Sequence, residues 1–280
     1  MNTKLILIEG LPGSGKTTIA RLVHDLLKKQ RLGARLFLEG NLDHPADYDG
    51  VAFYDKNDFE KLLKEYSDYQ HMLQNNVMIQ ENGYFIPYAK MSEKYGKQIP
   101  DQLFDDIFTH DIYELSFEKN VELITERWKG FGEKAHHEHS TYVFECCFMQ
   151  NPMTIGFVKY NRSFEEVSDY ILGLGESIKR LHPILIYVYQ KSINKSFERA
   201  LAERPKAWSE GFIEYYTEQG YGKSRNYHGV DGTIEVLKEM KLFGKRIYDT
   251  LDVKKIWLDN SQLDLDKTRI ILKEELDRYF

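Results

Sequence analysis

Three observations predict an α/β fold built on a parallel sheet. A short β-branched apolar run, Lys4–Glu9, leads straight into a glycine-rich turn and a helix. A second apolar run, Arg35–Glu39, follows at the spacing of a strand–helix–strand unit. The strand pattern then returns late in the chain, at Thr141–Glu145, "ILIYVYQ" and "KIWL". Strands separated by helices need crossover connections, and crossovers of this kind run the strands parallel.

The elements follow in order. Residues 18–30 carry Ile19, Leu22, Val23, Leu26 and Leu27 at helical spacing, and this helix ends near Gly33. Between Asn41 and about Ser140 the pattern breaks. A helix is expected over 58–74, with Phe59, Leu62, Leu63 and Tyr66 on its apolar face. "VMIQENGYFIPY" reads as a hairpin, because Asn82-Gly83 separates two short apolar runs. A helical stretch from about Phe117 to Ala135 closes the segment. The third strand, Thr141–Glu145, resumes the parallel pattern. Ser163 with Glu166 three residues on forms a capping box that opens a helix toward Leu181. Pro183 leads into the fourth strand, and a helix over 192–204 is stopped by Pro205. The fifth strand covers 255–258, and a last helix runs to the C-terminus. The reading is a single domain, 1–280, whose core (1–45 and 140–280) holds a mostly helical insertion (46–139). No internal repeat or low-complexity linker interrupts it.

Composition narrows the function. At 42% hydrophobic and 29% charged, the 280 residues are those of a folded, water-soluble chain. A net charge of −6 argues against a nucleic-acid polymer as partner, since such binding needs a basic surface. The only cysteines, Cys146 and Cys147, are adjacent, which gives neither a metal-ligand spacing nor a disulfide framework and points to reduced cytoplasm. Glu9 interrupts the first apolar run, so the N-terminus does not read as a signal peptide. No apolar run is long enough to span a membrane. The polar tract His136-His137-Glu138-His139 has no second ligand cluster nearby and reads as a turn rather than a zinc site.

Gly10-Leu11-Pro12-Gly13-Ser14-Gly15-Lys16-Thr17 fills every position of G-x-x-x-x-G-K-[ST] between a strand and a helix. In this P-loop, backbone N–H groups cradle a phosphate chain and the helix N-terminus adds its positive dipole end. Gly10, Pro12, Gly13, Ser14, Gly15, Lys16, Thr17 and Thr18 are therefore the expected nucleotide-binding residues. Lys16 reaches the β/γ oxygens, and the Thr17 hydroxyl is placed for Mg²⁺. The implied cofactors are ATP and Mg²⁺.

Three strand-like runs end in an acid: LILIE at Glu9, RLFLE at Glu39 and TYVFE at Glu145. In an open parallel sheet, ligands sit beyond the carboxyl ends of the strands. Glu9 precedes the first loop glycine and is expected to serve local structure. Glu39 suits a base that accepts a hydroxyl proton. Glu145 has the form of a Walker B acid that holds Mg²⁺. A salt-bridged strand end is the plain alternative for each, and the sequence leaves the division of roles between Glu39 and Glu145 open.

On these residues the chain resembles the P-loop kinases of the nucleoside and nucleotide kinase group, including thymidylate and deoxynucleoside kinases. It is also similar to a bacterial branch known only as thymidylate-kinase-like. The resemblance implies a three-layer α/β/α P-loop NTPase fold with a five-stranded parallel sheet in the order 2-3-1-4-5. It implies an acceptor base at Glu39, an acid at Glu145 and a lid helix in "INKSFERALAERPK", with Lys195, Arg199 and Arg204 as its cations. Cys146 stands where many members of the group have arginine, and the insertion is longer than in a typical nucleotide kinase. The resemblance covers the core, roughly half to two-thirds of the chain.

Two further stretches face the same chemistry. "GYGKSRNYHG" (220–229) places Lys223 and Arg225 among three glycines and suits a flexible flap. "GNLDHPADYDG" offers Asn41, Asp43 and His44 as acceptor ligands, with Gln150 and Asn151 as similar candidates. Asp47–Gly50 also fits the D-x-x-G of GTPase switches. The guanine motif N-K-x-D is missing, however, because Asn194-Lys195-Ser196-Phe197 ends in phenylalanine. The expected activity is transfer of the γ-phosphate of ATP to a small hydroxyl or phosphate acceptor, first of all a nucleoside or nucleotide. The alternatives are an antibiotic or metabolite kinase and a regulatory ATP-binding protein acting on a protein partner. A homodimer is compatible with either.

Overall fold

The fold was read from a computed structural model that describes residues 3–30 and 33–279. Positions 1, 2, 31, 32 and 280, which the sequence reading assigns to the core, lie outside the described residues. Strand β1 (Leu5–Glu9) runs into α1 (Lys16–Lys29), and β2 (Ala34–Phe37) follows. Next come β3 (Ala52–Tyr54), α2 (Lys56–Glu65), α3 (Gln70–Asn76), β4 (Met78–Gln80), β5 (Gly83–Ile86), α4 (Tyr88–Tyr95), α5 (Asp101–Phe108) and α6 (Phe117–His137). The chain continues with β6 (Thr141–Glu145), α7 (Gln150–Met153), a π-helical stretch over Thr154–Lys159, and α8 (Phe164–Ile178). It ends with β7 (Ile184–Tyr189), α9 (Ile193–Glu203), α10 (Lys206–Thr217), α11 (Gly220–Ser224), α12 (Gly229–Thr250), β8 (Lys254–Asp259) and α13 (Leu265–Leu276).

Two compact units emerge, one of residues 1–39 with 128–280 and one of residues 40–127. These boundaries differ from the expected 45/46 and 139/140 for packing reasons. The last turns of α6 belong to the sheet, since Trp128 and Phe131 set their rings against Phe144 of β6 at 6.0 and 4.8 Å. Residues 40–45 belong to the second unit: the His44 carbonyl accepts from Arg127 at 3.1 Å, and the Arg127 guanidinium lies over the Tyr48 ring at 4.6 Å.

The first unit holds a five-stranded, all-parallel sheet in the order β2-β6-β1-β7-β8. The labels differ from the expected 2-3-1-4-5 because β3, β4 and β5 intervene in the chain; by rank within this sheet the strands stand second, third, first, fourth and fifth. Side chains alternate across a strand. Ile6 and Ile8 of β1 therefore join Ile19, Val23 and Leu27 of α1 and Leu272 and Leu276 of α13 in one fully buried cluster. The middle strand is apolar up to its last residue, Glu9, because both faces are covered. The capping box at Ser163 and Glu166 is formed: the Glu166 N–H donates to Ser163 Oγ and the Ser163 N–H to the Glu166 carboxylate.

In the second unit β3, β5 and β4 form a small antiparallel sheet, while most of the insertion is helical, as expected. The hairpin falls where Asn82-Gly83 places it, with Gly83 already inside β5. Gly83 sits at φ +153°, and a Cβ there would meet the Phe53 ring at 2.5 Å and the Tyr54 carbonyl at 2.7 Å, so only glycine lets β5 lie this close to β3. The helix expected over 58–74 is broken at Tyr66 (φ −108°, ψ 53°) into α2, a 3₁₀ turn and α3. No helix among the described residues is long and apolar enough to cross a membrane.

Candidate active site

The glycine-rich turn between β1 and α1 is held by its neighbours. A Cβ on Gly10 (φ +147°) would stand 2.2 Å from the Val188 carbonyl of β7, and one on Gly15 (φ +93°) would stand 2.5 Å from Asn260 Nδ2. Both positions demand glycine through backbone conformation and space together. Two carbonyls of the turn are engaged from outside it. Ser14 O accepts from Asn260 Nδ2 at 2.8 Å and Gln190 Nε2 at 3.3 Å, while Gly13 O accepts from Arg199 Nη2 at 2.9 Å and Ser196 Oγ at 3.1 Å. An incoming anion thus meets the donors of the loop rather than free carbonyl oxygens. Asn260, Gln190 and Ser196 were not singled out from sequence. Each sits just past a strand or on the first turn of α9, which is a placement without a motif.

Lys16 is buried, and its Nζ donates to Leu11 O at 3.0 Å. Burial alone pulls the pKa of this ammonium down. The Cys146 sulfur and the carboxylates of Glu39, Glu145 and Glu9 act the other way and leave it raised, so Lys16 is a cation. The Thr17 hydroxyl donates to Glu145 Oε1 at 2.7 Å, and Glu145 Oε2 accepts the backbone N–H of Glu39 at 3.4 Å. Glu145 is buried at the end of β6.

Glu39 stands differently from the sequence expectation. β2 ends at Phe37, and Glu39 lies exposed in the turn beyond it. Gln150 Nε2 donates to its Oε1 at 3.4 Å, and the Cys146 thiol to its Oε2 at 3.5 Å. Among the described residues, Glu39, Glu145 and Cys146 form the one cluster of three possible metal-ligating groups, with their ligand atoms within 4.8 Å of one another. Nothing of the kind forms at 136–139, where His136 and His137 close the last turn of α6 instead of forming a turn. Burial pushes the Cys146 thiol well up, so it is neutral. Cys146 also sits at φ 70°, a left-handed conformation costly for a side-chain-bearing residue, at the point where β6 turns toward α7.

Glu9 takes the local role expected of it. It is fully buried, and its two oxygens accept the N–H groups of Phe148 and Gln150, each at 2.9 Å. The end of β1 thereby fixes the turn that presents Gln150. Burial raises its pKa to about 7, against the lowering effect of those N–H donors and of Lys16.

Lys16, Thr17, Glu39, Glu145 and Gln150 face one cleft of ≈ 860 Å³. The loop residues Pro12, Gly13, Gly15, Lys16, Thr17 and Thr18 form its floor, with Glu39, Glu145, Gln150 and Asn151 at one side and Arg199 and Arg204 at another. Arg204 caps α9 and lies over the Trp208 ring at 5.6 Å. Lys195 is exposed and does not line the cleft. The remaining wall is α10, a helix the sequence reading passed over, with Trp208, Phe212, Tyr215 and Tyr216 turned to the cleft. The signal was present as aromatics at positions 208, 212 and 216, four residues apart.

One expectation is corrected, and the acceptor candidates find their places. Residues 220–229 are not a flexible flap. Gly220–Ser224 is a short helix in which a Cβ on Gly220 or Gly222 would strike the Val158 or Tyr216 carbonyl at 2.0 and 2.1 Å, so these glycines serve close packing. Lys223 and Arg225 are exposed, with Arg225 over the Tyr221 ring at 5.1 Å. Asn41, Asp43 and His44 belong to the second unit and are engaged there. Asn41 Oδ1 accepts the Asp43 N–H at 2.9 Å, Asp43 pairs with Lys90, and the buried His44 ring accepts the Ala46 N–H at 3.2 Å. Burial and the Arg127 charge lower the pKa of His44 to about 3, which keeps it neutral.

No family model matches the chain, and no curated protein matches it. Among solved structures it is similar to a thymidylate kinase from Candida albicans, at 10% identity and a TM-score of 0.42, over 99% of this chain and 92% of that one. A likeness this distant carries no argument about function.

Proposed function

We propose that the chain is a phosphotransferase that moves the γ-phosphate of Mg-ATP to a small hydroxyl or phosphate acceptor, with a nucleoside or nucleotide as first choice. The observation that carries the reading is the hydrogen bond from the Thr17 hydroxyl to the Glu145 carboxylate, beside a second, exposed carboxylate at Glu39 in the same cleft. A binding module needs the first pair only; a second carboxylate beside it is what an acceptor needs.

The residues fit a magnesium-bound triphosphate. Thr17 and Glu145 supply hard oxygen ligands of the type Mg²⁺ takes, and the Ser14 hydroxyl is buried without a partner inside the loop that would wrap the phosphates. When bound, the ion neutralises phosphate charge. Glu145, joined to Thr17, is assigned to that ion and Glu39 to the acceptor. Glu39 is exposed to the cleft and steadied by Gln150, so it can take the proton of an acceptor hydroxyl. Lys16 and Arg199 supply positive charge on the phosphate side, where transfer spreads negative charge over the equatorial oxygens.

The test is ADP release from Mg-ATP across a panel of nucleosides, nucleotides and aminoglycosides. One class should accelerate release, and Glu39→Gln should lower that turnover by about a hundredfold or more while Mg-ATP binding persists. Acceptor-independent release throughout the panel would refute the reading.

A further inference from the structure

We propose that Glu39, Glu145 and Cys146 form a site for a thiophilic divalent cation of the Zn²⁺ class, apart from the Mg²⁺ that a bound nucleotide carries. The cation site stands on the geometry of this chain. Its consequence, the loss of Glu39 as the acceptor's base, rests on the phosphotransfer reading.

The three residues come from the ends of paired strands. Glu145 closes β6, Cys146 follows it, and Glu39 lies in the turn after β2, which pairs with β6. Positions 39 and 145 are too distant in the chain for any ligand spacing to show in the sequence. One ligand atom from each residue lies within 4.8 Å of the other two. The Cys146 sulfur stands 3.5 Å from Glu39 Oε2. A tetrahedral Zn²⁺ with its thiolate at about 2.3 Å and its carboxylate oxygen at about 2.0 Å sets those two atoms about 3.5 Å apart. One edge of the coordination tetrahedron is therefore already in place. Glu145 divides its oxygens: Oε1 accepts the Thr17 hydroxyl at 2.7 Å, and Oε2 is turned to Glu39, whose N–H it accepts at 3.4 Å. The nucleotide's ion and the thiophilic one thus draw on different oxygens.

Gln150 is an independent pointer. It is 5% exposed and lines the same cleft. Its amide nitrogen donates to Glu39 Oε1 at 3.4 Å, while its own Oε1 is buried with no partner. A buried acceptor left unpaired is costly. Three protein ligands leave the fourth position of Zn²⁺ to water, and the O–H of that water would satisfy Gln150 Oε1. Charge and softness select the ion. As it binds, the Cys146 S–H bond breaks, the proton leaves to solvent, and the sulfur lone pair passes to the cation. One thiolate and two carboxylates then stand against the single ammonium of Lys16, which feels all three, and the two negative charges left over match a dication. Mg²⁺ takes oxygen ligands and dehydrates reluctantly, so it gains nothing from the sulfur, whereas Zn²⁺ accepts sulfur and carboxylate together. Glu39 is the exposed member of the three and so the point of entry. Once it ligates the cation, it no longer takes a proton from an acceptor hydroxyl.

The experiment titrates Co²⁺, a coloured substitute for Zn²⁺, into the full chain, reduced, metal-free and without nucleotide. A single equivalent should raise a sulfur-to-cobalt charge-transfer band in the near ultraviolet. Zn²⁺ should bleach the band, and a large excess of Mg²⁺ should leave it. Cys146→Ser should remove the band and Cys147→Ser should keep it, with circular dichroism confirming that each variant folds. Glu39→Gln alters an exposed side chain, keeps the fold, and should weaken Co²⁺ binding roughly tenfold or more. No band, or a band that follows Cys147 in place of Cys146, would overturn the site. In the turnover assay, buffered free Zn²⁺ beside excess Mg-ATP should inhibit the unaltered chain reversibly. Cys146→Ser should need roughly tenfold more Zn²⁺ for the same fractional loss of its own rate. Equal inhibition of both chains would put the Zn²⁺ on the nucleotide and overturn the consequence drawn for Glu39. A cobalt band without phosphate transfer to any acceptor would support the metal site and remove the kinase reading. Transfer without a band would do the reverse.

Discussion

Replacing Glu9 by glutamine tests the link between β1, which leads into the glycine-rich turn, and the turn that carries Gln150. Glu9 is fully buried, and burial moves its pKa from 4.5 to about 7. The folded chain therefore binds more protons than the unfolded chain between those values. Stability from this group is present in full below pH 4.5, falls as pH rises through the window, and is gone above about 7. Linkage puts the loss at about 2.5 kcal/mol between pH 5 and 8. Glu9→Gln cannot titrate. It also turns an NH₂ toward one of the two N–H donors now bonded at 2.9 Å, which costs roughly 1–3 kcal/mol at every pH. Urea unfolding of both proteins at pH 5, 6, 7 and 8 separates the two effects, because groups common to both cancel in the difference. The variant should start less stable at pH 5 and close most of the gap by pH 8. A difference that stays flat with pH would show that Glu9 is ionised throughout, with the Phe148 and Gln150 donors and Lys16 outweighing burial.

The other predictions concern the loop and the core. Lys16→Ala should abolish Mg-ATP binding by calorimetry, since it removes the cation aimed at the β/γ oxygens, and should lower the thermal midpoint, because Glu9 and Glu145 lose the cation beside them. Thr17→Val should weaken nucleotide binding in magnesium far more than in EDTA; equal weakening in both would take Thr17 out of the metal site. Gly10→Ala should destabilise the fold by roughly 2 kcal/mol or more, because the added carbon meets the Val188 backbone at 2.2 Å in a conformation costly for alanine. Trp128→Ala should cost roughly 3–5 kcal/mol in urea unfolding, since this buried ring joins α6 to Phe144 and Phe148.

The legible parts of the chain were those governed by local rules. The glycine turn follows from positions where a side chain would collide, the capping box from Ser163 and Glu166, the stop at Pro205 from its missing N–H, and the hairpin from Asn82-Gly83. Helix α10 was harder to read because its aromatics differ in burial along one face: Tyr216 is buried while Trp208 and Phe212 are half-buried, though all three line the cleft. The glycines at 220 and 222 misled for a related reason. Glycine marks mobility and close packing alike, and only the carbonyls of Val158 and Tyr216 tell the two apart. Asn41, Asp43 and His44 carry useful chemistry, but their hydrogen bonds lie within their own segment.

By itself, then, the sequence determined that a glycine-rich turn ending in Lys16 and Thr17 joins β1 to α1, and that an acid stands at or just past the carboxyl end of three strands, because strand alternation and loop sterics are set by residues close together in the chain. Tertiary structure decided the division of labour. The register of β6 on β1 brings Glu145 to Thr17, and the turn after β2 leaves Glu39 open to the cleft beside Gln150. These contacts join residues more than a hundred positions apart, so they exist only once the strands have paired.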